Sequence, residues 1–299
     1  MPRPHFSVLL PTHNRAGRLR QAIESVLVQD YPDWELVIID DGSTDDTAEV
    51  ARAYADADDR IHYHHQDNRQ LNGARNAAVA RMRGHWGCFL DDDDYFLPEH
   101  LGLLADYIYD DEDKNVAAIY RSGQLLERDG KLTRLPNFTN GSDTLRQYWQ
   151  MPVGPFGMAI RVDVLRAHPF AEALLLLDDF VWLSDVLRDH RLYQLPTHSV
   201  VVRAHADQRS RTYPSAEQLA QNVATLRRAY AAPGVAERVP EVLLRQRIVH
   251  QHTHLARQLG RGGRRAAAWR QLGRALAAGR GAGLGDILRT AGVGVLGGG

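Results

Sequence analysis

The chain has 299 residues, of which 44% are hydrophobic and 24% charged, and its formal net charge at pH 7 is −1. These values are typical of an ordinary globular protein, and the length allows one large α/β domain or one domain with an appendage. The near-zero charge gives no global indication of nucleic-acid binding, and the single cysteine, Cys88, excludes a disulfide within the chain. No signal-peptide core or membrane-length apolar stretch is present, so we expect a cytoplasmic location, either free or peripheral at the inner face of the membrane.

Short apolar runs alternate with helical patterns over residues 1–125. Strands are predicted at 6–10, 36–39, 61–65 and 86–90. Helices are predicted at 19–29, 44–54, 72–82 and 99–109. Because the predicted strands are continuously apolar and alternate with helices, the pattern predicts a parallel sheet that is covered on both faces.

The remainder of the chain is less regular up to residue 213 and helical beyond it. Strands are predicted at 116–120 and 200–203, a loop-rich stretch at 129–155, and a helix that begins near Asp178. From 214 onward Ala, Leu, Arg and Gln recur at helical spacing, which predicts helices at 216–230, 239–259 and 264–278. The Gly-rich end is predicted to be disordered. Composition therefore places a boundary between 1–213 and 214–299.

Four consecutive aspartates, Asp91 to Asp94, follow the predicted strand at 86–90. Like charges packed together raise the free energy of a site unless a cation or a basic partner compensates them. Ligands of α/β sheets bind at the carboxyl ends of strands, and carboxylate oxygens suit Mg²⁺ or Mn²⁺. The run therefore predicts a divalent metal that carries a phosphorylated substrate, with a solvated acidic turn as the alternative.

Two further acidic pairs fall near predicted element ends, Asp40-Asp41 and Asp178-Asp179. A carboxylate at Asp41 could accept hydrogen bonds from a base or a ribose. The alternative for residues 40–46 is a turn with a helix N-cap, because Asp, Gly, Ser and Thr are good turn and capping residues. Helix capping is also the alternative for Asp178.

Other phosphate and metal motifs fit the sequence poorly. A calcium-binding EF-hand loop that began at Asp41 would need Gly where Asp46 stands. No Gly-rich dinucleotide fingerprint follows the first strand, and the chain contains no P-loop. An aspartyl phosphatase reading of Asp91-x-Asp93 would need Thr or Val in place of Tyr95.

Four motifs occur in order along the chain: Ser7-Val-Leu-Leu-Pro-Thr-His-Asn14, Ile39-Asp-Asp-Gly-Ser-Thr-Asp-Asp-Thr47, Gly73-Ala-Arg-Asn76 and Leu90-Asp-Asp-Asp-Asp94. Together they resemble glycosyltransferase family 2, whose members are inverting enzymes that use nucleotide sugars. The resemblance covers roughly residues 5–205. It implies an α/β GT-A fold, in which a Rossmann-like, mostly parallel sheet is flanked by helices, with the C-terminal helices as an extension. It also implies a catalytic domain at 1–213, with nucleotide-sugar binding at 1–125 and the acceptor side with the catalytic base at 126–213.

The resemblance assigns nucleotide-binding roles to residues that match the family motifs. It implies that the donor is a nucleoside diphosphate sugar, with a uridine diphosphate sugar as the first choice. Asp41 would pair with the base, Arg75 would lie near the nucleotide and diphosphate, and Asp92 would lie near the ribose. The residues implied to line the nucleotide pocket after the first strand are Pro11, Thr12 and Asn14.

The resemblance also assigns the metal site, whose implied cofactor is Mn²⁺ or Mg²⁺. Asp93 would be the principal ligand, and Asp91 is the first carboxylate of the Asp-x-Asp element. Asp94 is left to a structural role. His205, in the matching Arg-x-His motif, would contact the metal or the diphosphate.

The general base is expected in the Asp178-Asp179 pair, which resembles the Glu-Asp pair of the family. Asp179 is the first choice and Asp178 the second. A base must reach the attacking hydroxyl on the face opposite the leaving diphosphate. One carboxylate there gives a single displacement and inversion, whereas retention by double displacement needs a nucleophile as well.

The acceptor is left open by the sequence and could be a saccharide, a lipid-linked saccharide or a small molecule. Nucleic acid is not an expected partner. Residues 251–299 contain eight Arg and one acidic residue, Asp286. Basic amphipathic helices of this kind can lie on anionic membranes, and the alternatives are packing on the catalytic domain or a homodimer contact.

Two other functions remain open at this point. A nucleotidyltransferase would make nucleotide sugars on a related sheet, but it would carry a Gly-rich loop after the first strand, which residues 11–15 lack. A non-catalytic module would bind nucleotide without turning it over, and the intact acidic run argues against this.

Overall fold

The computed structural model describes residues 6–110, 117–174, 177–205 and 215–279. Within these ranges the strands form one nine-stranded sheet. The strands are β1 Phe6–Thr12, β2 Trp34–Asp41, β3 Ile61–Gln66, β4 Trp86–Phe89, β5 Tyr95–Phe96, β6 Ile119–Arg128, β7 Lys131–Arg134, β8 Met158–Arg161 and β9 Leu192–Arg203.

Helices follow most of the strands and also make up the described part of the chain beyond the sheet. They are α1 Ala16–Leu27, α2 Thr47–Ala57, α3 Gln70–Arg81, α4 His100–Asp110, α5 Thr144–Gln150, α6 Val162–Ala167, α7 Asp178–Asp189, α8 Ala216–Tyr230, α9 Glu241–Arg261 and α10 Arg265–Ala278.

The sheet has a parallel part and a mixed part. Its strand order is β3-β2-β1-β4-β8-β6-β9-β5, and β7 pairs with β6 beside this path. β1 to β4 are parallel to one another, which confirms the parallel arrangement predicted for the first part of the chain. Beyond β4, β8 pairs antiparallel with both β4 and β6, whereas β9 runs parallel to β6.

Three of the four strands of the parallel part are buried because apolar side chains stand on both of their faces, whereas most of β3, at the sheet edge, is only half-buried. Every residue of β1, β2 and β4 is buried. Helix α1 buries Leu19, Ile23 and Val26, which recur at the spacing that places them on one helix face. Fully burying such a side chain stabilises a fold by about 1.5–3 kcal/mol. The strand ends that carry the acidic residues are therefore held by a continuous core.

The mixed part differs most from the expected elements. The strand that was predicted to end at 120 begins at Ile119 and continues to Arg128, and Val116 lies outside the described residues. β9 is twelve residues long because it continues N-terminally through the polar segment 194–199, which lacks strand periodicity. The expected loop at 129–155 contains β7 and α5. The predicted disorder of the Gly-rich end also lies outside the described residues.

The chain divides into two compact units. The first comprises residues 1–144 and 153–205 and contains the whole sheet, and the second comprises 145–152 and 206–299. In the second unit Trp149 lies edge-on to Tyr230, with ring centroids 5.7 Å apart. The boundary predicted from composition between 213 and 214 remains a prediction. Within the described ranges, no helix combines the length and the apolarity that crossing a membrane requires.

Candidate active site

The candidate site residues follow the carboxyl ends of neighbouring parallel strands. β1 lies between β2 and β4, so the loops after these three strands emerge at one edge of the sheet. Pro11 is buried in β1 opposite Ile39, and the strand continues two residues beyond the predicted end at Leu10, to Thr12. This edge is the place where α/β sheets usually bind ligands.

Asn14 joins the loop after β1 to the loop after β2. It has a left-handed backbone, with φ of 52°, which Asn tolerates better than most residues. Its side-chain Oδ1 accepts a hydrogen bond from the Thr44 N–H at 2.8 Å, and its own N–H donates to the Ser43 Oγ at 2.9 Å. The amide of Asn14 thereby fixes the two loops to each other.

Asp40 is a structural member of its acidic pair. The side chain is completely buried, and its oxygens accept hydrogen bonds from the Ser43 N–H at 2.9 Å and the Tyr63 hydroxyl at 2.7 Å. Burial acts to raise the pKa of Asp40, but the hydrogen bonds from Ser43, Tyr63 and His65 outweigh it and the pKa is lowered. Asp40 is therefore held in place as a carboxylate by the protein alone.

Asp41 is fixed by the last residue of β3 and by the turn that follows that strand. Successive side chains on a strand point to opposite faces, which separates it from Asp40. Its Oδ1 accepts hydrogen bonds from the Gln66 Nε2 at 2.7 Å and from the Arg69 N–H at 2.8 Å. Gln66 and Arg69 were not predicted as site residues, and the parallel register that pairs Asp41 with Gln66 is the signal that identifies Gln66.

Thr12 and Asp92 connect the ends of β1 and β4. The Thr12 Oγ1 donates a hydrogen bond to the Asp92 Oδ2 at 2.7 Å. Burial raises the pKa of Asp92 to about 7, against the opposing effect of the Thr12 hydrogen bond and with a further contribution from Asp93. The two side chains that the sequence assigned to the nucleotide thus lie in direct contact.

Asp91, Asp93 and Asp94 form a compact carboxylate cluster. One oxygen from each lies within 4.8 Å of the others. Burial raises the pKa of Asp91 well above its ordinary value, and it raises the pKa of Asp94 to about 7. Charged carboxylates this close together repel one another, and a divalent cation would relieve the repulsion. The preferred ligands of such a cation are hard oxygens, which the cluster provides. The residues present therefore fit a Mg²⁺ or Mn²⁺ site.

Asp94 connects the cluster to the end of β9. Its Oδ1 accepts a hydrogen bond from the Arg203 N–H at 2.9 Å, and the side chain is almost fully buried. The Arg203 Nε in turn donates to the carbonyl oxygen of Asp93. These two bonds from Arg203 support the structural role expected for Asp94 and leave Asp91 and Asp93 as the better candidates for metal ligands.

His205 lies against the cluster directly after β9. Its Nε2 is 2.8 Å from the Asp93 Oδ2 and 3.3 Å from an Arg18 guanidinium nitrogen, and Arg18 was not predicted as a site residue. The His205 Nδ1 is buried and has no hydrogen-bond partner in the described part of the chain. The structure therefore brings His205 to the predicted metal ligand.

Arg75 joins the acidic cluster to the two acidic residues of α7. One guanidinium nitrogen donates to the Asp179 Oδ1 at 2.5 Å and lies 3.9 Å from the Asp178 Oδ2. A second nitrogen lies 3.7 Å from the Asp91 Oδ1. Burial acts to lower the pKa of Arg75, but the three carboxylates, Asp179 first, outweigh it and the pKa is raised.

Aromatic rings surround the Arg75 guanidinium, whose side chain is completely buried. Its central carbon lies 5.8 Å from the ring centroids of Phe89 and Phe156 and 5.2 Å from that of Phe170. Rings at these distances attract the cation through their negative faces. The rings and carboxylates together fix the direction of the guanidinium.

Asp178 and Asp179 form the first turn of α7, where the partial positive charge of the helix N-terminus favours carboxylates. The residue before them, Leu177, has a left-handed backbone with φ of 60°. The Asp178 side chain is 10% exposed and that of Asp179 is 29% exposed. Asp179 is thus the more accessible of the two for an acceptor.

The structure therefore brings some of the predicted residues together and leaves others apart. Asp91, Asp93 and His205 form the predicted metal set, and Arg75 connects it to Asp179. The predicted nucleotide residues do not form one contact network: Thr12 reaches Asp92, Asp41 is held by the β3–α3 turn, and Pro11 and Asn14 form part of the framework.

Relatives with known names match just under half of the chain. A putative teichuronic acid biosynthesis glycosyltransferase of Bacillus subtilis, TuaG, is 31% identical over 144 residues, which are 48% of this chain and 55% of that protein. A GalNAc(5)-diNAcBac-PP-undecaprenol beta-1,3-glucosyltransferase of Campylobacter jejuni is 35% identical over 134 residues, which are 44% of this chain and 41% of that protein. The chain thus matches less than two thirds of the length of these relatives.

Solved structures show the same fold at low sequence identity. S. aureus TarS 1–349 in complex with UDP-GlcNAc has a TM-score of 0.66 and 18% identity, covering 97% of this chain and 82% of that chain. Mannosyltransferase PcManGT from Pyrobaculum calidifontis, in complex with GDP-Man and Mn²⁺, has a TM-score of 0.56 and 19% identity, covering 97% and 78%. These likenesses confirm the predicted α/β GT-A fold. The model of glycosyl transferase family 2 matches residues 7–168, more than half of the chain, and the chain belongs to that family.

Proposed function

We propose that this chain is an inverting glycosyltransferase that moves a sugar from a nucleoside diphosphate to an acceptor hydroxyl with the help of a divalent metal. The observation that carries the proposal is the bridge made by Arg75. Its guanidinium bonds to Asp179 and lies beside Asp91, so the candidate base and the candidate metal site form one network. A transfer reaction needs both at one bond, on opposite sides of the sugar carbon.

The donor would bind along the ends of β1, β2 and β4. Asp41 would accept a hydrogen bond from the base, and Asp92, held by Thr12, would face the ribose. Pro11 and Asn14 would shape the loop beneath them. TarS has been solved with UDP-GlcNAc and PcManGT with GDP-Man, and a uridine diphosphate sugar is the first donor to test.

Asp93 and Asp91 would hold Mn²⁺ or Mg²⁺, with His205 beside Asp93. When bound there, such an ion supplies Lewis-acid stabilisation of negative charge on the diphosphate. Asp94 would keep the cluster in place through Arg203.

Asp179 would take the proton of the acceptor hydroxyl as that oxygen forms a bond to the anomeric carbon. The bond from this carbon to the diphosphate breaks in the same step, and the diphosphate leaves with the electron pair. One displacement with no covalent sugar–enzyme intermediate inverts the configuration. The greater exposure of Asp179 supports this choice over Asp178.

Arg75 would act as a positioning residue for Asp179. Its charged hydrogen bond fixes the carboxylate, because the guanidinium is itself held by rings and by Asp91. The complete burial of Arg75 favours this role over the contact with the diphosphate that the resemblance implies.

The acceptor would be a saccharide, a lipid-linked saccharide or a small molecule with a free hydroxyl. The Campylobacter jejuni relative carries a PP-undecaprenol saccharide in its name, and the Bacillus subtilis relative is assigned to teichuronic acid biosynthesis. These names support testing saccharide and lipid-linked acceptors first.

The test is release of nucleoside diphosphate from a panel of nucleotide sugars by the purified chain with Mn²⁺ or Mg²⁺, followed by the Asp179→Asn variant. We expect kcat to fall by about 10²- to 10⁴-fold, the usual contribution of a general base, while donor affinity measured by calorimetry is retained. Asp185→Asn is the matched control, because Asp185 lies on the same helix and pairs with Arg188 and His168.

Three results would contradict the proposal. Unchanged turnover in Asp179→Asn would move the base to Asp178 or elsewhere. Pyrophosphate release from nucleoside triphosphates would favour a nucleotidyltransferase. Tight donor binding without any transfer or hydrolysis would favour a non-catalytic binding module.

A further inference from the structure

Helix α10 packs on α9 through one complete face. Leu272 lies against Ala256, and Ala275 lies against Val249. Between these contacts the Gln271 side chain and the His252 ring lie 2.9 Å apart, Oε1 to Nδ1. Because α9 covers this face of α10, the opposite face of α10 points away from α9.

Two large apolar side chains are exposed on the outward face. Trp269 is 55% exposed and Leu276 is 40% exposed. They are seven residues apart, which is two helical turns, so they lie in one line along the helix. Arg265 lies one turn before Trp269 and is exposed, so a charged side chain adjoins the apolar pair.

Positive charge surrounds the apolar pair without acidic residues nearby in sequence. Arg270 and Arg274 are also exposed, one turn apart, and lie about 100–160° around the helix axis from Trp269 and Leu276. No ion pair involves Arg265, Arg270 or Arg274 within the described residues. Residues 242–279 contain eight Arg and neither Asp nor Glu. The α9–α10 helix pair beyond Glu241 is therefore a local positive region in a chain of nearly zero net charge.

We propose that the outward face of α10 is a docking surface for an anionic lipid membrane. The α10 basic face is defined by Arg265, Trp269, Arg270, Arg274 and Leu276. Trp and Leu can enter the boundary between headgroups and acyl chains while Arg side chains reach lipid phosphates beside them. Arg near an anionic leaflet is attracted by its surface potential, and this attraction decreases as salt increases.

Charge complementarity favours a lipid surface over a second copy of the chain. A two-fold symmetric contact would bring the same three Arg side chains of each copy toward one another, and like charges so placed are repelled. An anionic bilayer offers compensating charge and an apolar layer at the same surface. All residues of the α10 basic face belong to the second compact unit, so the proposal does not depend on the transfer reaction.

The experiment is co-sedimentation of the full chain with vesicles of phosphatidylcholine, alone or mixed with phosphatidylglycerol, over a series of salt concentrations. We expect binding to the mixed vesicles only, decreasing as salt rises. The double variant Arg270→Glu and Arg274→Glu should lower the partition coefficient by about thirtyfold or more, since each basic residue near the surface contributes about fivefold to it. Trp269→Ala should lower it several-fold at constant salt.

The matched control reverses two charges in the first unit. Lys131→Glu and Arg134→Glu change exposed residues of β7 and shift the net charge by the same amount. This control should bind the mixed vesicles as the unaltered chain does, and circular dichroism verifies that all variants are folded.

Four outcomes would overturn the proposal. Equal binding to neutral and anionic vesicles would do so, and so would full binding by the double variant of α10. Equal loss in the β7 control would show an effect of net charge instead of a surface. A concentration-dependent dimer that Trp269→Ala abolishes, with no vesicle binding, would assign the α10 basic face to a second copy.

Discussion

The acidic residues at the end of β2 and those after β4 lie on either side of β1, yet the protein stabilises their charges in different ways. At the end of β2, Asp40 receives hydrogen bonds from Ser43 and Tyr63 and its pKa is lowered. After β4, burial and like charges raise the pKa of Asp91 well above its ordinary value. At the end of β2 the protein's own hydrogen bonds stabilise the charge of Asp40. After β4 the carboxylates repel one another, and a bound cation would relieve that repulsion. Similar runs of Asp in a sequence can therefore become a framework in one place and a ligand site in another.

The strongest test of this contrast is Asp93→Ala. We expect turnover to fall by at least about a thousandfold, because metal stabilisation of a leaving diphosphate contributes several kcal/mol. Diphosphate release in a metal titration is the measurement, and calorimetry should show loss of Mn²⁺ binding.

Asp106→Asn is the matched control for Asp93→Ala, since Asp106 is an exposed aspartate on α4 and should leave both quantities unchanged. Full activity of Asp93→Ala in the presence of a chelator would show that turnover does not require a cation at the carboxylates after β4.

Arg75→Lys tests the positive charge that the protein itself places beside the carboxylates after β4. A lysine ammonium is a compact charge and cannot bond to Asp179 while a second nitrogen lies beside Asp91. We expect kcat to fall about ten- to hundredfold, as for loss of one charge-assisted hydrogen bond, with little change in the KM of the donor. Steady-state kinetics separates the two quantities.

Arg81→Lys on the same helix is the control for Arg75→Lys, because Arg81 is exposed and donates to the Ala77 carbonyl. A raised donor KM with unchanged kcat would instead place Arg75 on the diphosphate. Thermal unfolding of both variants distinguishes a loss of function from a loss of fold.

Asp40→Asn gives the smallest expected effect, which is on the free energy of unfolding and tests the hydrogen bonds at the end of β2. The folded pKa of Asp40 lies below its ordinary value of 3.8, so its stabilising contribution is present above that value and is lost as pH falls through the folded pKa. We expect the variant to lower the free energy of unfolding at neutral pH by about 1–3 kcal/mol.

Urea unfolding at neutral pH and at roughly pH 3 measures this difference, which should shrink in acid. Asp56→Asn, an exposed position on α2, serves as the control and should change little at either pH. An undiminished difference in acid would show that the carboxylate charge of Asp40 is not what stabilises the loop.

The parallel part of the sheet could be predicted from the sequence because three of its four strands, β1, β2 and β4, are buried on both faces. Continuous apolar runs such as Val8 to Leu10 have no other simple explanation, and they end at the motifs that carry the chemistry. The mixed part could not be predicted equally well. In β9 the polar residues Gln194 and Ser199 are buried because they hydrogen-bond to Arg121 and Ser122 of the neighbouring strand β6, which hides the strand from a periodicity argument.

The candidate site was predictable residue by residue but not as a network. Motif matching identifies Arg75 and Asp179 separately, yet their contact joins positions 104 residues apart and depends on how α3 and α7 face each other. In the same way, the sequence identifies Asp41 but not the Arg69 backbone that holds it. Local pattern gives the residue types, and tertiary packing decides which of them meet.

Asn14 has a consequence for the thermodynamics of ligand binding. Its side chain holds the loop after β1 against Thr44, although the loop is exposed to solvent. Ordering a free backbone costs about 1–2 kcal/mol per residue in conformational entropy. Much of that cost at this loop is met when the chain folds, so a ligand arriving there would meet a surface that is already arranged.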